Sequence, residues 1–352
     1  MRRTPGKAKE FAADVPGGNC VGYDNLEEFL GHPKLDAVYV STRPGTHYEI
    51  CQAVAKAGLA CYVEKPVGRC AAETKQIVEL FQSRNLPFYT AYISRAYSRT
   101  QKLRSLLYDD RVLGNQIDSI SYELIGTGGA RDMNTVDELP WRLQARQSGG
   151  GLIMDVGCHV VDRLEYIAGN SPLINVKGNA ENRNSASYQD VEDYVSFQAK
   201  IGPPLGASPG IKCEGASVQC TWNFAPGEGV EPKDELIIQG PKGSLKMVGM
   251  SPNAPIQLVD LNGKVIQEYT FDMPQHTAQQ LIQATTNDLL VKLGRVNAGE
   301  IDKNNNVVLS YGENAIRAQL VLDECLSSYY GGREIGYWDR SPNTWPGLQH
   351  RK

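Results

Sequence analysis

The run Cys61-Tyr62-Val63-Glu64-Lys65-Pro66-Val67 is a short apolar segment that stops at an acid, a lysine and a proline. Proline has no N–H to give to a central ladder, so a strand reaching this point must end. Lys65 then stands at the carboxyl end of a strand, the edge where open α/β sheets bind ligands. Elements of two kinds alternate around it. Asp36 to Thr42 reads as a buried strand, and Arg43-Pro44-Gly45-Thr46 punctuates it. His47 to Ala57 carries Ile50, Ala53, Val54 and Ala57 at helical spacing and stops at Gly58, a C-cap signal. Leu59 to Val63 is the next strand, Ala71 to Gln82 the next helix, and Pro87 to Ala91 a third strand. Upstream, Thr4 to Ala13 has the pattern of a helix capped by Thr4, and Asn25 to Leu30 that of a helical turn. Short loops between alternating elements predict βα units of a parallel sheet over the first ~90 residues.

After Ala91 the period changes. Ile117 to Ile125 alternates polar and apolar residues, as do Ile174–Ala180, Tyr194–Ile201, Ala216–Phe224, Glu235–Gln239, Ser244–Val248, Ile256–Val259 and Lys264–Phe271. Turn sequences such as Gly240-Pro241-Lys242-Gly243 and Asn262-Gly263 separate them. This predicts a largely antiparallel sheet. Ile201 to Lys212 is rich in proline and glycine and reads as a loop. Helical patterns at Ala278–Leu293 and Asn314–Tyr329 follow, and there is no internal repeat.

At 352 residues the chain is long for one core, which favours two domains. Apolar residues make up 41% and charged residues 22%, ordinary globular usage. A net charge of −4 favours neither nucleic acid nor a membrane surface as partner. Eight cysteines are scattered without a C-x-x-C pair or a His/Cys cluster. We therefore expect reduced thiols, a cytoplasmic setting and no metal site. No apolar run approaches the ~20 residues of a transmembrane helix. Arg2, Arg3, Lys7 and Lys9 make the start basic, but no apolar h-region follows, so it does not read as a secretory signal.

A second landmark is Gly149-Gly150-Gly151, followed by Leu152 to Asp162. Ile153, Val156, Val160, Leu164 and Ile167 recur at helical spacing. Asp155, His159 and Asp162 fall at i, i+4 and i+7 and share a second, polar face. Glycines at a helix start expose N–H groups that can approach a ligand. A carboxylate and an imidazole one turn apart make an acid/base pair. Cys158 reads as a small packing residue. Arg95 and Tyr97, after the third strand, face either the cleft or solvent. His32, His276 and His350 are expected to be structural or surface residues.

These residues resemble the glucose–fructose oxidoreductase / inositol dehydrogenase (Gfo/Idh/MocA) family. Asp36 to His47 is similar to the family's strand ending in T-x-x-x-x-H, and Glu64-Lys65-Pro66 to its E-K-P. Trp141-Arg142 is similar to its W-R, and Gly149 to Asp162 to its GGG-x3-D-x-G-x-H-x2-D. E-K-P alone is a short match, whereas four motifs in order are specific. The resemblance covers the chain from Arg3 to Trp338. It implies an α/β plus α+β fold, with a shortened Rossmann-type parallel sheet followed by an open, mostly antiparallel sheet flanked by helices. The implied organisation is a partial dinucleotide-binding domain over 1–92, a substrate and oligomerisation domain over 93–338, and a tail over 339–352. It further implies hydride transfer between NAD(P) and a hydroxyl or carbonyl of a sugar, sugar acid or cyclic polyol. Lys65, Asp155 and His159 match its catalytic positions. Thr42, Pro44, His47, Glu64 and Lys65 match the nicotinamide side, and Trp141 with Arg142 touches cofactor in some members. A Lys65–Pro66 cis bond, and a homodimer or homotetramer formed through the exposed sheet face, are also implied.

One departure stands out. The family opens with a strand, a G-x-G-x-x-G turn, a helix and a second strand, and these are not found here. Gly126-Thr127-Gly128-Gly129 does not replace them, because Arg131 holds the last glycine position and Ala130 to Pro140 lacks a helical period. The expectation is that roughly 30–35 residues, one βα unit plus a strand, are absent. A mis-started gene model is favoured over a genuinely truncated chain. The alternative function is a non-catalytic or inactive binding or oligomerisation protein that has lost its phosphate loop. Arg2 and Arg3 lean the cofactor from NAD towards NADP, since arginine can meet a 2′-phosphate.

Taken singly, the site residues have plainer roles. Lys65 could be a solvated strand end, Asp155 a complement to its helix N-terminus, and His159 a hydrogen-bonded, partly buried ring. His47 could cap its helix or touch cofactor. Taken together, His159 suits the base, with an ordinary pKa near ~6.5. Lys65 suits a cation that holds the substrate oxygen, and burial should lower its pKa. Asp155 would bind a second hydroxyl and orient the imidazole.

Overall fold

The computed structural model describes residues 1, 4–126, 139–184, 188–206, 210–301 and 307–349. Helices α1 (Lys7–Asp14) and α2 (Leu26–Leu30) come first. Thr4 does not cap α1. Gly6, at φ 77°, precedes the helix instead, and its N–H goes to the Asp24 carboxylate. The Pro5-Gly6 pair turns the chain, and only glycine takes that backbone angle without strain. Asn25 does cap α2, accepting the Glu28 N–H at 2.8 Å.

Three strands then form a parallel sheet in the order β1 (Ala37–Val40), β2 (Ala60–Val63), β3 (Phe88–Thr90). Helices α3 (His47–Lys56) and α4 (Ala71–Gln82) are the crossovers. β2 is buried along its whole length, as a central parallel strand should be. The outer side of β3 is covered, because Thr90 N–H donates to Ser310 O at 3.0 Å and Tyr89 bridges Tyr311. β1 forms the other edge and pairs only with β2 among the described residues.

Helix α5 (Ser98–Tyr108) follows without a legible helical period. Its apolar face is three leucines, and its other buried residues are Arg99 and Thr100, so the periodicity is masked. The short α6 (Ala145–Ser148) and the long α7 (Leu152–Ile167) follow β4 (Ser119–Ile125).

β4 belongs to an eight-stranded mixed sheet with β5 (Leu173–Glu181), β6 (Tyr194–Ile201), β7 (Ser217–Asn223), β8 (Lys233–Gly240), β9 (Gly243–Val248), β10 (Ile256–Val259) and β11 (Val265–Tyr269). The order is β11-β10-β9-β8-β4-β7-β6-β5. Every pairing is antiparallel except β4 with β7, where Ser119 opposes Ser217. That parallel pair could not be read from alternation, which is the same for both strand senses. Alternation does decide the faces. Ile120, Tyr122, Val218, Cys220, Trp222, Leu236 and Ile238 turn into one apolar core with residues of α7 and of α9 (Gly312–Tyr330). Ser121, Gln219 and other polar residues keep the opposite face wet. Helix α8 (Gln279–Lys292) lies against the turn after β3. The segment expected as a tail is docked, with Trp345 buried and its ring 4.8 Å from that of Tyr330.

A buried ion pair joins the parallel-sheet unit to α7. Arg95, in the turn after β3, donates from Nε and Nη2 to Asp162 at 2.8 and 2.7 Å. The two side chains are 0% and 1% exposed. Arg95 is therefore not a residue of the cleft, and Asp162 does not share the open face of α7 with Asp155. Arg95→Met would leave a carboxylate buried and unpaired, which should cost about 3–5 kcal/mol of stability. Urea denaturation should show that loss, and Arg95→Met/Asp162→Leu should recover most of it.

Candidate active site

Lys65 follows β2 directly, and the Lys65–Pro66 bond is cis. His47 fixes the ledge on which it stands. This imidazole is fully buried, with ring nitrogens 3.0 Å from both the Val67 and Thr42 carbonyl oxygens. It ties the ends of β1 and β2 together. Pro44 is buried as well. Thr42 stays exposed at the end of β1. Glu64 accepts the Tyr39 hydroxyl at 2.5 Å and the Lys65 backbone N–H at 3.2 Å.

The facing wall is α7. Its glycine run approaches protein rather than ligand, contrary to expectation. Gly149, at φ +94°, lies so close to the Arg69 backbone that a Cβ would sit 2.4 Å from Arg69 O. Gly151 donates its N–H to Glu192 Oε1 at 2.8 Å, and Tyr330 donates its hydroxyl to Glu192 Oε2. Arg333, deeply buried, donates to Gly149 O at 2.6 Å. The start of α7 is thus bolted down from two sides. Glu192 plays a positioning role that no sequence signal disclosed, because Val191-Glu192-Asp193 looks like any polar lead into a strand.

Lys65 and α7 meet across the gap between the two sheets. Lys65 Nζ donates to Asp155 Oδ1 at 2.6 Å and to Asp155 O at 2.9 Å. Arg142 Nε donates to Asp155 Oδ2 at 2.8 Å, and its guanidinium stacks 4.4 Å over the half-buried Trp141. Each carboxylate oxygen therefore serves one cation, and Asp155 makes no hydrogen bond to His159. Burial opposes the Lys65 charge, but the Cys158 sulfur and the Asp155 carboxylate outweigh it. The Lys65 pKa consequently lies above the ordinary lysine value, not below it. Burial likewise pushes Asp155 up, yet Lys65 and then Arg142 hold it below its ordinary range.

His159 sits one turn beyond Asp155, edge-on to Tyr92 at 6.0 Å. Burial first, then the Lys65 charge, hold its pKa well below the usual histidine value, so it is neutral at pH 7. Its Nδ1 is enclosed and unbonded. Its Nε2 is not enclosed and has no hydrogen-bond partner among the described residues. Cys158 is buried with its thiol pushed up to about 12 by burial, an inert packing residue. His32 bonds Tyr23, and His276 accepts the Ala278 N–H, both away from the cleft. Arg2, Arg3, Thr127 to Arg131 and His350 lie outside the described residues.

A parallel-sheet ledge carrying an ammonium thus faces a helix carrying a carboxylate and an imidazole. Residues 1–92 match the family model described as oxidoreductase family, NAD-binding Rossmann fold, and residues 125–246 match the GFO/IDH/MocA C-terminal domain. Together they cover more than half of the chain, which belongs to the Gfo/Idh/MocA oxidoreductase family. It is 29% identical over 287 residues to an oxidoreductase of Formosa agariphila, covering 81% of this chain and 80% of that one. It is 28% identical over 152 residues to the 1,5-anhydro-D-fructose reductase of Ensifer adhaerens, covering 42% of each. Its fold is similar to an inositol dehydrogenase homolog from Azotobacter vinelandii complexed with NAD+, with TM-score 0.72, 17% identity, and 93% and 86% of the two chains covered. Aldose-aldose oxidoreductase from Caulobacter crescentus aligns with TM-score 0.68, 19% identity, and 93% and 88% covered. No helix among the described residues is long and apolar enough to cross a membrane.

The Glu192 anchor should show itself in the pH dependence of stability. Burial first raises its pKa from 4.5 to about 7. A folded-state pKa above the unfolded one means that the folded chain holds the extra proton between those values. The contribution of Glu192 to stability should therefore be greatest below about pH 4.5, fall by about 3 kcal/mol towards pH 7, and then level off. Glu192→Gln keeps an acceptor for Gly151, so the difference between its urea midpoints and those of wild type should trace this slope.

Proposed function

We propose that this chain is an NAD(P)-dependent oxidoreductase that interconverts a hydroxyl and a carbonyl on a sugar, sugar acid or cyclic polyol. The observation that carries this reading is the 2.6 Å Lys65–Asp155 pair with the free Nε2 of His159 one turn away. A hydroxyl placed between them meets a permanent cation and a neutral base. Lys65 is held charged, so it serves as the donor that steadies the developing alkoxide rather than as the proton acceptor. His159 is neutral and open, so it takes the hydroxyl proton and returns it in the reverse direction. Asp155 and Arg142 keep the ammonium aimed, which is positioning work.

The nicotinamide end of a dinucleotide fits the residues present. Thr42 is exposed at the carboxyl end of β1, Glu64 and Lys65 follow β2 at the same edge, and Arg142 lies exposed beside Asp155. When bound, NAD(P) supplies the hydride acceptor or donor. Among the residues that would meet it, Thr42, Glu64, Lys65 and Arg142 with Trp141 are those we assign. The arginines at positions 2 and 3 support NADP over NAD.

Lys65→Met should lower NAD(P)H formation from a turned-over polyol or sugar by about 10²–10³-fold, the usual cost of one lost oxyanion donor. Circular dichroism should show the fold retained, because Arg142 still neutralises Asp155. Full turnover by Lys65→Met would remove the lysine from the mechanism.

A further inference from the structure

Among the described residues four arginines lie deep in the protein, and Arg163 has neither an ion pair nor an oxygen acceptor. Arg95 has Asp162, and Arg333 has Asp323. Arg99, 1% exposed, donates to the backbone oxygens of Gly249, Ser251 and Val248 and so fixes the turn that carries Met250. Arg163 is 2% exposed. Its one hydrogen bond to a described residue runs from Nη2 to the Met250 sulfur at 2.7 Å, and sulfur is a weak acceptor. Its Nε is enclosed and unbonded, whereas Nη1 is not enclosed and makes no hydrogen bond to a described residue. Asp234 is near enough to favour the Arg163 charge, but it accepts the Tyr122 hydroxyl at 3.0 Å and forms no ion pair with the guanidinium. A guanidinium taken out of water without a counter-charge is strongly unfavourable.

Its position gives the reason. Arg163 stands four residues, about one helical turn, past His159 on α7. Its charge reaches His159, where it adds to burial and Lys65 in holding the imidazole neutral. Around the reacting position, Lys65 and Arg142 already share the single carboxylate of Asp155. Arg163 adds a third cation beside them, and no carboxylate accepts a hydrogen bond from it.

We propose that the substrate carries a carboxylate, and that Arg163 receives it. The class is then a sugar acid, aldonic or uronic, rather than a neutral sugar or free polyol. This rests on the oxidoreductase reading for the reacting hydroxyl. The carboxylate itself changes no bond. A guanidinium edge matches the two oxygens of a carboxylate. A phosphate dianion would call for further donors, and the neighbouring Arg99 is already spent.

The test uses matched pairs, D-glucuronate with D-glucose and D-gluconate with D-glucitol, plus D-glucose 6-phosphate, titrated calorimetrically with and without NAD. Wild type should bind the acids at least about tenfold more tightly than their neutral partners. Arg163→Met, checked as folded by circular dichroism, should lose that preference, and Arg163→Lys should keep part of it. The proposal is overturned if acid and neutral sugar bind alike, if none of the acids binds, if the phosphate binds best, or if the preference survives in Arg163→Met. NAD(P)H formation, followed in parallel, separates the two readings. Neutral members oxidised as fast as acids would remove the carboxylate and leave the oxidoreductase. Acids bound through Arg163 with no NAD(P)H from any member would remove the oxidoreductase and leave the anion site.

Discussion

The candidate site is organised by an ion pair that crosses between two sheets. Lys65 comes from the carboxyl end of a parallel strand, and Asp155 from the first turn of the helix that backs the mixed sheet. Neither unit holds a complete site. Each supplies one charge, and the 2.6 Å contact between them registers everything else on the two walls. The supporting structure is built to make that register stiff. His47 clamps the strand ends from below, Glu192 and Arg333 hold the glycine turn ahead of α7, and the Arg95–Asp162 pair locks the helix two turns further on.

This arrangement also divides the chemistry between the two polar groups. Burial alone would lower the pKa of both Lys65 and His159. The carboxylate reverses that outcome for the lysine and cannot do so for the histidine, which has Lys65 and Arg163 beside it. Lys65 is favoured in its charged form and the resting His159 in its neutral form. Such separation of titration is what acid–base work at neutral pH requires. Fine tuning of the reaction should therefore lie in Asp155 and Arg142, which set the lysine, more than in His159.

Much of this was legible in the residues. The Pro66 stop placed Lys65 at a strand end, and helical spacing placed Asp155 and His159 on one face. What failed did so for physical reasons. Asp162 and Arg95 look polar in sequence, but charge buried as a pair has no periodic signature, so both were read as surface or site residues. His47 and Pro44 are both buried, and sequence carries no record of side-chain direction in a turn. The glycines before α7 read in sequence as room for a ligand, whereas they admit the Arg69 backbone and Glu192. Helix α5 was missed because arginine and threonine occupy its buried face. Arg163 was in plain view at helical spacing from His159. Only burial without a counter-charge marks it out, and that is a property of the fold.

The central claim is that Lys65 and Asp155 act as one unit across the two sheets. A double-mutant cycle of Lys65→Met and Asp155→Asn, read by urea denaturation, measures that coupling directly. An interaction energy of about 1–3 kcal/mol is expected for groups in contact and partly shielded from water. Effects that simply add, to within about 0.5 kcal/mol, would mean that the two residues do not sense each other and would contradict the account.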